Sequence, residues 1–205
     1  MWLRRLVASF ALSASLLVGA MDVKKGSFTR NNCSPAPCTQ DITTVGFQPK
    51  LYILFWNLQT AEGFSTTQDI GIGVTDGTTS RAAEIESVDA LATTNADRQW
   101  DVGVLTTITL LFATHSAMLS NGFRIQWETT AGVGSELVQF IAIGGTDVTN
   151  AKVTAHTFST GTGNQGYTGI GFTADFLCLL STNQTATGTT SGLTLSFGCG
   201  TSSTK

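Results

Sequence analysis

VGFQPKLYILFWNLQTAEG, residues 45–63, decides the fold, because the chain says nearly the same thing again as IGFTADFLCLLSTNQTATG at residues 170–188. Laying residues 40–77 over residues 165–202 without a gap gives ten identities: Gln40/Gln165, Thr43/Thr168, Gly46/Gly171, Phe47/Phe172, Leu54/Leu179, Gln59/Gln184, Thr60/Thr185, Ala61/Ala186, Gly63/Gly188 and Gly73/Gly198. Apolar positions correspond as well, with Ile70, Ile72 and Val74 falling on Leu195, Phe197 and Cys199. Self-similarity at a fixed offset is the mark of an internal duplication. Upstream, Gly26-Ser27-Phe28-Thr29 resembles His156-Thr157-Phe158-Ser159 after a five-residue shift, which falls where the first copy carries its Cys33-to-Cys38 loop.

Each copy reads as strand, loop, strand. Residues 51–56 and 176–180 are short apolar runs, as expected of strands covered on both faces. Leu193, Leu195, Phe197 and Cys199 alternate with Thr194, Ser196 and Gly198, which fits a strand with one face buried. A further edge strand is expected at Phe28 and at Phe158. Paired units of this kind pack as facing sheets or as a pseudo-symmetric sandwich. Between the copies, residues 102–105 and 108–112 read as strands. Phe123, Ile125 and Trp127 alternate with Arg124, Gln126 and Glu128, the clearest half-exposed strand. Residues 137–143 follow the Gly-rich residues 132–134, which suggests a hairpin. Gly144-Gly145-Thr146-Asp147 then turns the chain. Residues 81–91 carry a weak helical pattern through Ala82, Ile85 and Val88.

The expected fold is therefore all-β, a β-sandwich or jelly roll with internal duplication. One domain, residues 21–205, holds duplicated units at about 26–77 and 156–202 around a central strand region, 78–153. A unit of about fifty residues is small for a core of its own, so one sandwich is expected rather than two lobes.

Composition narrows the function. Of 205 residues, 12% are charged, about half the usual ~25%. Thr, Ser and 22 glycines supply the polarity instead, which suits sheet surfaces. Net charge is −3 and the only basic pairs are Arg4-Arg5 and Lys24-Lys25. A nucleic-acid partner would need a dense basic patch. Residues 1–20 hold two arginines, an apolar stretch and Val18-Gly19-Ala20. Two readings stand: a signal-like segment cleaved after Ala20, or an apolar arm that packs on a neighbouring subunit. The stretch is short for a membrane span, which needs about 20 residues.

Cys33, Cys38, Cys178 and Cys199 are candidate disulfide partners. Their three pairings stay open, as does a reduced state. Zinc would require a second close Cys or His pair. Asn32-Cys33-Ser34 and Asn183-Gln184-Thr185 match the glycosylation triplet, a common pattern in a Ser/Thr-rich chain.

Other motifs point to packing rather than chemistry. GTGNQG, residues 161–166, fits G-x-G-x-x-G but leads into Tyr167-Thr168-Gly169 instead of a helix, so it reads as a connecting loop. His115 and His156 have no acidic or Cys partner at ligand spacing. Glu84, Glu86 and Asp89 form the densest acidic group and read as a solvated edge without the apolar wall a general acid needs. Ser135 fails the nucleophile-elbow pattern, since Leu137 stands where glycine is required. Tyr52, Trp56, Trp100 and Trp127 could line a sugar platform, but core packing is the stronger reading. No catalytic residue, metal or cofactor is assigned.

Four stretches carry a resemblance: GSFT at 26–29; VGFQPKLYILFW at 45–56; TDGTTSRAAE at 75–84 with ATTNADRQW at 92–100; and GFRIQWETT with FIAIGGTDVTNAKV within 122–153. Together they resemble a family of uncharacterised β-rich proteins encoded by tailed bacteriophages and prophages, generally near virion structural genes. The shared motifs are glycines and aromatics that define a fold. The resemblance implies a non-enzymatic virion structural protein, a capsid decoration or cement protein or a tail-associated component. Its partners would be major capsid or tail subunits and further copies of itself. The alternative is a secreted or surface-displayed lectin-like module, with residues 57–69 or 182–191 contacting a host-surface glycan.

Overall fold

A computed structural model describes residues 20–57, 67–88, 96–107, 111–129, 136–157, 161–182, 184, 187–191 and 194–201. The described residues form thirteen strands and are all-β, with every pairing antiparallel. In chain order these are β1 (Met21–Thr29), β2 (Cys38–Ile42), β3 (Pro49–Trp56), β4 (Thr67–Thr75), β5 (Ser80–Val88), β6 (Ala96–Trp100) and β7 (Gly103–Thr106). There follow β8 (Phe112–Leu119), β9 (Gly122–Trp127), β10 (Leu137–Gly145), β11 (Phe176–Thr182), β12 (Gly188–Ser191) and β13 (Leu195–Thr201).

Two sheets face each other across one apolar core. The larger runs β1-β10-β3-β4-β5-β6-β12 and the smaller β2-β9-β8-β7. Alternation explains the inner faces. Tyr52, Leu54 and Trp56 point inward from β3, Val138, Phe140 and Ala142 from β10, and Phe123, Ile125 and Trp127 from β9, all buried. The rings interlock: Tyr52 stacks on Phe123 with centroids 4.0 Å apart, and Phe140 meets Phe123 edge-on at 5.5 Å. Each such ring buried contributes roughly 1.5–3 kcal/mol.

Gln40 and Asp76 are polar groups that tie this core and its turns together. Gln40 accepts from Trp127 Nε1 at 2.9 Å and from the Asn31 amide at 3.0 Å, while its own amide donates to the Thr29 carbonyl at 2.8 Å. The turn between β4 and β5 is tied by Asp76, whose carboxylate accepts from the amides of Thr78, Thr79 and Val153. Gly77 occupies a positive φ there, a conformation glycine adopts without a Cβ penalty.

The duplication is visible in register. In the first copy Ile53 opposes Val74 and Leu54 opposes Gly73. In the second, Cys178 opposes Cys199 and Leu179 opposes Gly198. These are the same positions, pair for pair. The two hairpins are nevertheless placed differently. The first forms the middle of the large sheet, and its facing layer is β2 with β7–β9, not the second copy. The second is a separate ribbon of β11 and β13 alone. Its loop contributes β12, which pairs with β6 and extends the large sheet.

Three other expectations are corrected. Residues 80–88 are strand, not helix, because β5 is hydrogen-bonded on both sides, to β4 and β6. β9 and β10 do not form a hairpin: β9 is flanked by β2 and β8, so β10 crosses to the other sheet between β1 and β3. The first copy's edge strand at Phe28 is present as β1, whereas residues 151–157 run irregularly and Phe158 lies outside the described residues.

Candidate functional site

The ribbon has two unlike faces, dictated by the two-residue period of its strands. Phe176, Cys178, Leu180 and Thr182 share one face with Thr201, Cys199, Phe197 and Leu195. Part of that face touches the sandwich, while Phe176 stays 55% and Phe197 44% exposed. Phe197 meets Phe55 edge-on at 6.3 Å, and the Thr182 hydroxyl donates to Gln99 Oε1 at 3.0 Å. Phe55 belongs to the outer face of the large sheet, the side away from the Tyr52–Trp56 core. The molecule is thus layered: small sheet, large sheet, ribbon.

The opposite face carries Leu177, Leu179 and Ser181 across from Gly200, Gly198 and Ser196. Leu177 is 43% exposed and Leu179 42%. A Cβ built on Gly198 would meet nothing within 4 Å. The equivalent face of the first copy carries Tyr52, Leu54 and Trp56 across from Thr75, Gly73 and Gly71. There Tyr52 and Leu54 are fully buried, and a Cβ on Gly73 would fall 1.7 Å from the Val104 carbonyl of β7. The face that one copy buries against a second sheet is the face the other presents to solvent. Gln40 and Gln165 repeat the contrast: Gln40 is buried on Trp127, and Gln165, in the outer loop, accepts from its neighbour Tyr167 at 3.0 Å.

The four cysteines form two bridges, Cys33–Cys38 and Cys178–Cys199. The first closes the loop that covers Trp127. The second spans the ribbon where the first copy has the apolar pair Ile53 and Val74. A two-stranded ribbon is marginal alone, so a covalent staple stands where packing supports the other hairpin.

The histidines line two open pockets. His115 sits in one of about 410 Å³ with Gly77, Thr78, Arg81, Asp101 and Ser116. Its groups are committed internally: His115 Nδ1 shares a 3.0 Å hydrogen bond with the Tyr52 hydroxyl, and Arg81 donates to the carbonyls of Ser80 and Asp101. Burial pushes the His115 imidazole below its ordinary pKa, with the charge of Asp76 opposing it. Ser116 is the extra residue of a bulge in β8. His156 lines the other pocket, about 380 Å³, with Asn164, Gln165 and Tyr167 of the GTGNQG region. Its ring lies 4.6 Å from that of Tyr167.

The acidic group differs most from expectation. Glu84 is not on a solvated edge: it is fully buried on the inner face and accepts from Trp56 Nε1 at 3.3 Å. Arg98 stands directly opposite on β6, its guanidinium over the Phe112 ring at 4.5 Å and near that of Trp100 at 5.4 Å. Two residues along, Asp69 opposes Glu86. Burial, then the charge of Glu86, raises the Asp69 pKa to about 6. Asp89 and Ser135 lie outside the described residues, as do residues 1–19 and most of the loop at 57–69. The 182–191 loop is in part strand β12. Trp56 and Trp127 are core residues, not a sugar platform, and Trp100 packs on Phe112.

No family model matches the chain, and no curated protein or solved structure does either.

Proposed function

We propose that the chain is a non-enzymatic structural protein of a bacteriophage particle, a capsid decoration or cement protein or a tail-associated component, that works by binding neighbouring subunits. The observation that carries this reading is the uncovered ribbon face. Large apolar side chains in a cluster on the surface mark sites of association, and here the repeat supplies the internal reference: the same face is buried in the first copy. The motifs that resemble the phage family support it from another side. Tyr52, Leu54, Trp56, Phe123, Ile125 and Trp127 are spent on the core and Asp76 on a turn, so these stretches specify a scaffold. Two disulfides suit an oxidising setting such as a virion surface.

The test is co-sedimentation. Epitope-tagged protein should band with phage particles in a density gradient. Leu179→Glu, with an unchanged circular dichroism spectrum, should shift it to the unbound fractions. Wild-type protein found only among soluble proteins contradicts the proposal.

A second reading, a secreted lectin-like module, is favoured by one observation, the Tyr167 and His156 rings beside Asn164 and Gln165. Aromatic faces next to amides suit a sugar ring. Glycan binding lost on Tyr167→Ala would move the reading there, and a blank glycan array with oxidised protein would remove it.

A further inference from the structure

We infer that the open edge of β1 is a homotypic interface: two copies of this chain pair their β1 strands antiparallel about a two-fold axis at Val23, joining their large sheets into one. The inference goes beyond the assembly reading, since it stands on β1 alone and does not use the ribbon.

β1 ends one side of the large sheet, hydrogen-bonded to β10 and open along its other edge. Residues 21–25 are exposed on both faces of the strand. Met21 and Val23 are among the most exposed large apolar side chains, at 62% and 54%. An open strand edge offers a row of unpaired N–H and C=O groups to another chain. Which residues offer them follows from the register. The Arg30 amide donates to the Glu136 carbonyl, one step beyond the pair of Thr29 with Leu137. The direction of main-chain groups alternates along an antiparallel strand. Even-numbered residues of β1 therefore turn theirs toward β10, and Met21, Val23 and Lys25 turn theirs to the open edge.

Charge selects the partner and its register. In an antiparallel pair of identical strands, a two-fold axis through a residue opposes that residue to its own copy. Within the exposed stretch, an axis through Asp22, Lys24 or Lys25 sets like charges directly against each other, which is destabilising. An axis through Met21 carries the pairing away from Lys24 and Lys25 and out of β1. An axis through Val23 opposes Val23 to Val23, Met21 to Lys25, and Asp22 to Lys24, the last two pairs occurring on both sides of the axis. The backbone requires the same register. Met21, Val23 and Lys25 exchange main-chain bonds across the edge, and Asp22 and Lys24 fall in the non-hydrogen-bonded pairs, where side chains approach most closely. Among the described residues no ion pair takes up Asp22 or Lys24 within the single chain.

The outer face of the sheet gains as well. Val23 opposes Ile143, which opposes Leu51 on β3. Across the axis this apolar row meets its own copy through Val23, and Met21 lies along the stem of the other copy's Lys25. Strand addition at an edge draws its affinity from main-chain hydrogen bonds and its specificity from the side chains, so the contact does not depend on a broad apolar patch.

The experiment is sedimentation equilibrium on the full oxidised chain, from low micromolar to about 500 μM. Val23→Pro removes one N–H from the open edge and leaves the β10 side intact, a change that edge strands tolerate. Asp22→Lys and Lys24→Asp each turn the opposed pairs into like charges. The double swap Asp22→Lys/Lys24→Asp restores opposite charges with their positions exchanged. The expected result is a concentration-dependent dimer, weaker by about tenfold or more in Val23→Pro and in each single swap, and returned to near wild-type strength in the double swap. Circular dichroism checks that each variant is folded, and recovery in the double swap separates a lost contact from a lost fold. A monomer throughout the range overturns the inference. So does a dimer that ignores Val23→Pro, or one that the double swap fails to recover. The co-sedimentation test is read separately: wild-type protein that bands with particles keeps the assembly reading whichever way this experiment falls.

Discussion

Glu84 is a buried carboxylate whose neighbours are a tryptophan N–H and, across the strand pair, the Arg98 guanidinium. The two charges oppose each other across the strands and Glu84 favours the charged form of Arg98; leaving one such buried charge without the other costs up to about 3–5 kcal/mol. Glu84→Ala should lower stability by that amount in urea unfolding. Glu84→Leu combined with Arg98→Met should recover most of it, because the uncompensated charge is gone. Asp69 gives a pH signature. Its folded pKa is about 6 against an ordinary 3.8, so the fold binds its proton more tightly than the unfolded chain does. Its contribution is then favourable at low pH and is lost as pH rises from about 4 to about 6. Asp69→Asn should raise the melting temperature at pH 7.5, and the gain should vanish near pH 4. A gain of equal size at both values would contradict the assignment. Neither role was legible in the sequence. Glu84, Glu86 and Asp89 look like a charged edge until β5 is known to lie between β4 and β6, and Arg98 is far along the chain with no periodic pattern linking it to Glu84.

At the scale of elements, the two hairpins are one sequence idea in two environments, and glycine reports the difference. Gly73→Ala places a methyl group onto the Val104 backbone, which cannot yield as a flexible side chain would; the variant should lose several kcal/mol, roughly 3 or more, or fail to fold. Gly198→Ala meets open space and should leave the melting temperature of the monomer nearly unchanged. The Cys178–Cys199 bridge closes a separation of 21 residues, so its loss should cost the ribbon roughly 3 kcal/mol. Cys178→Ser/Cys199→Ser should make residues 176–201 sensitive to limited proteolysis while the sandwich core stays protected. The duplication, the all-β class and the alternation of β9 were all readable, since each is a pattern of period two or a fixed offset. The hairpin between β9 and β10 was misread because pairing partners are chosen by core packing across 100 residues and more, as when β1 closes on β10. β6 and β8 were hidden by mixed compositions, ADRQW and FATHSAML, without the usual strand signals. The ribbon's exposure was not legible either: its residues are as apolar as those of the buried copy, and only the placement of the sheets separates them.

For the whole molecule, the order of layers carries the functional meaning. The small sheet covers the first copy, and the ribbon of the second, touching the outer side of the large sheet, is left with Phe176, Leu177, Leu179 and Phe197 exposed. The proposed assembly role would draw on both parts: a core packed within the chain, and a ribbon whose apolar side chains are left for neighbours to cover. The most direct test is hydrogen-exchange mass spectrometry on the protein free and on purified particles. The account predicts strong new protection in peptides covering 176–182 and 195–201 on assembly, with little change in β3, β9 and β10, which are hydrogen-bonded within the sheets of the free chain. Unchanged exchange in the ribbon peptides, with protection arising elsewhere, would contradict it.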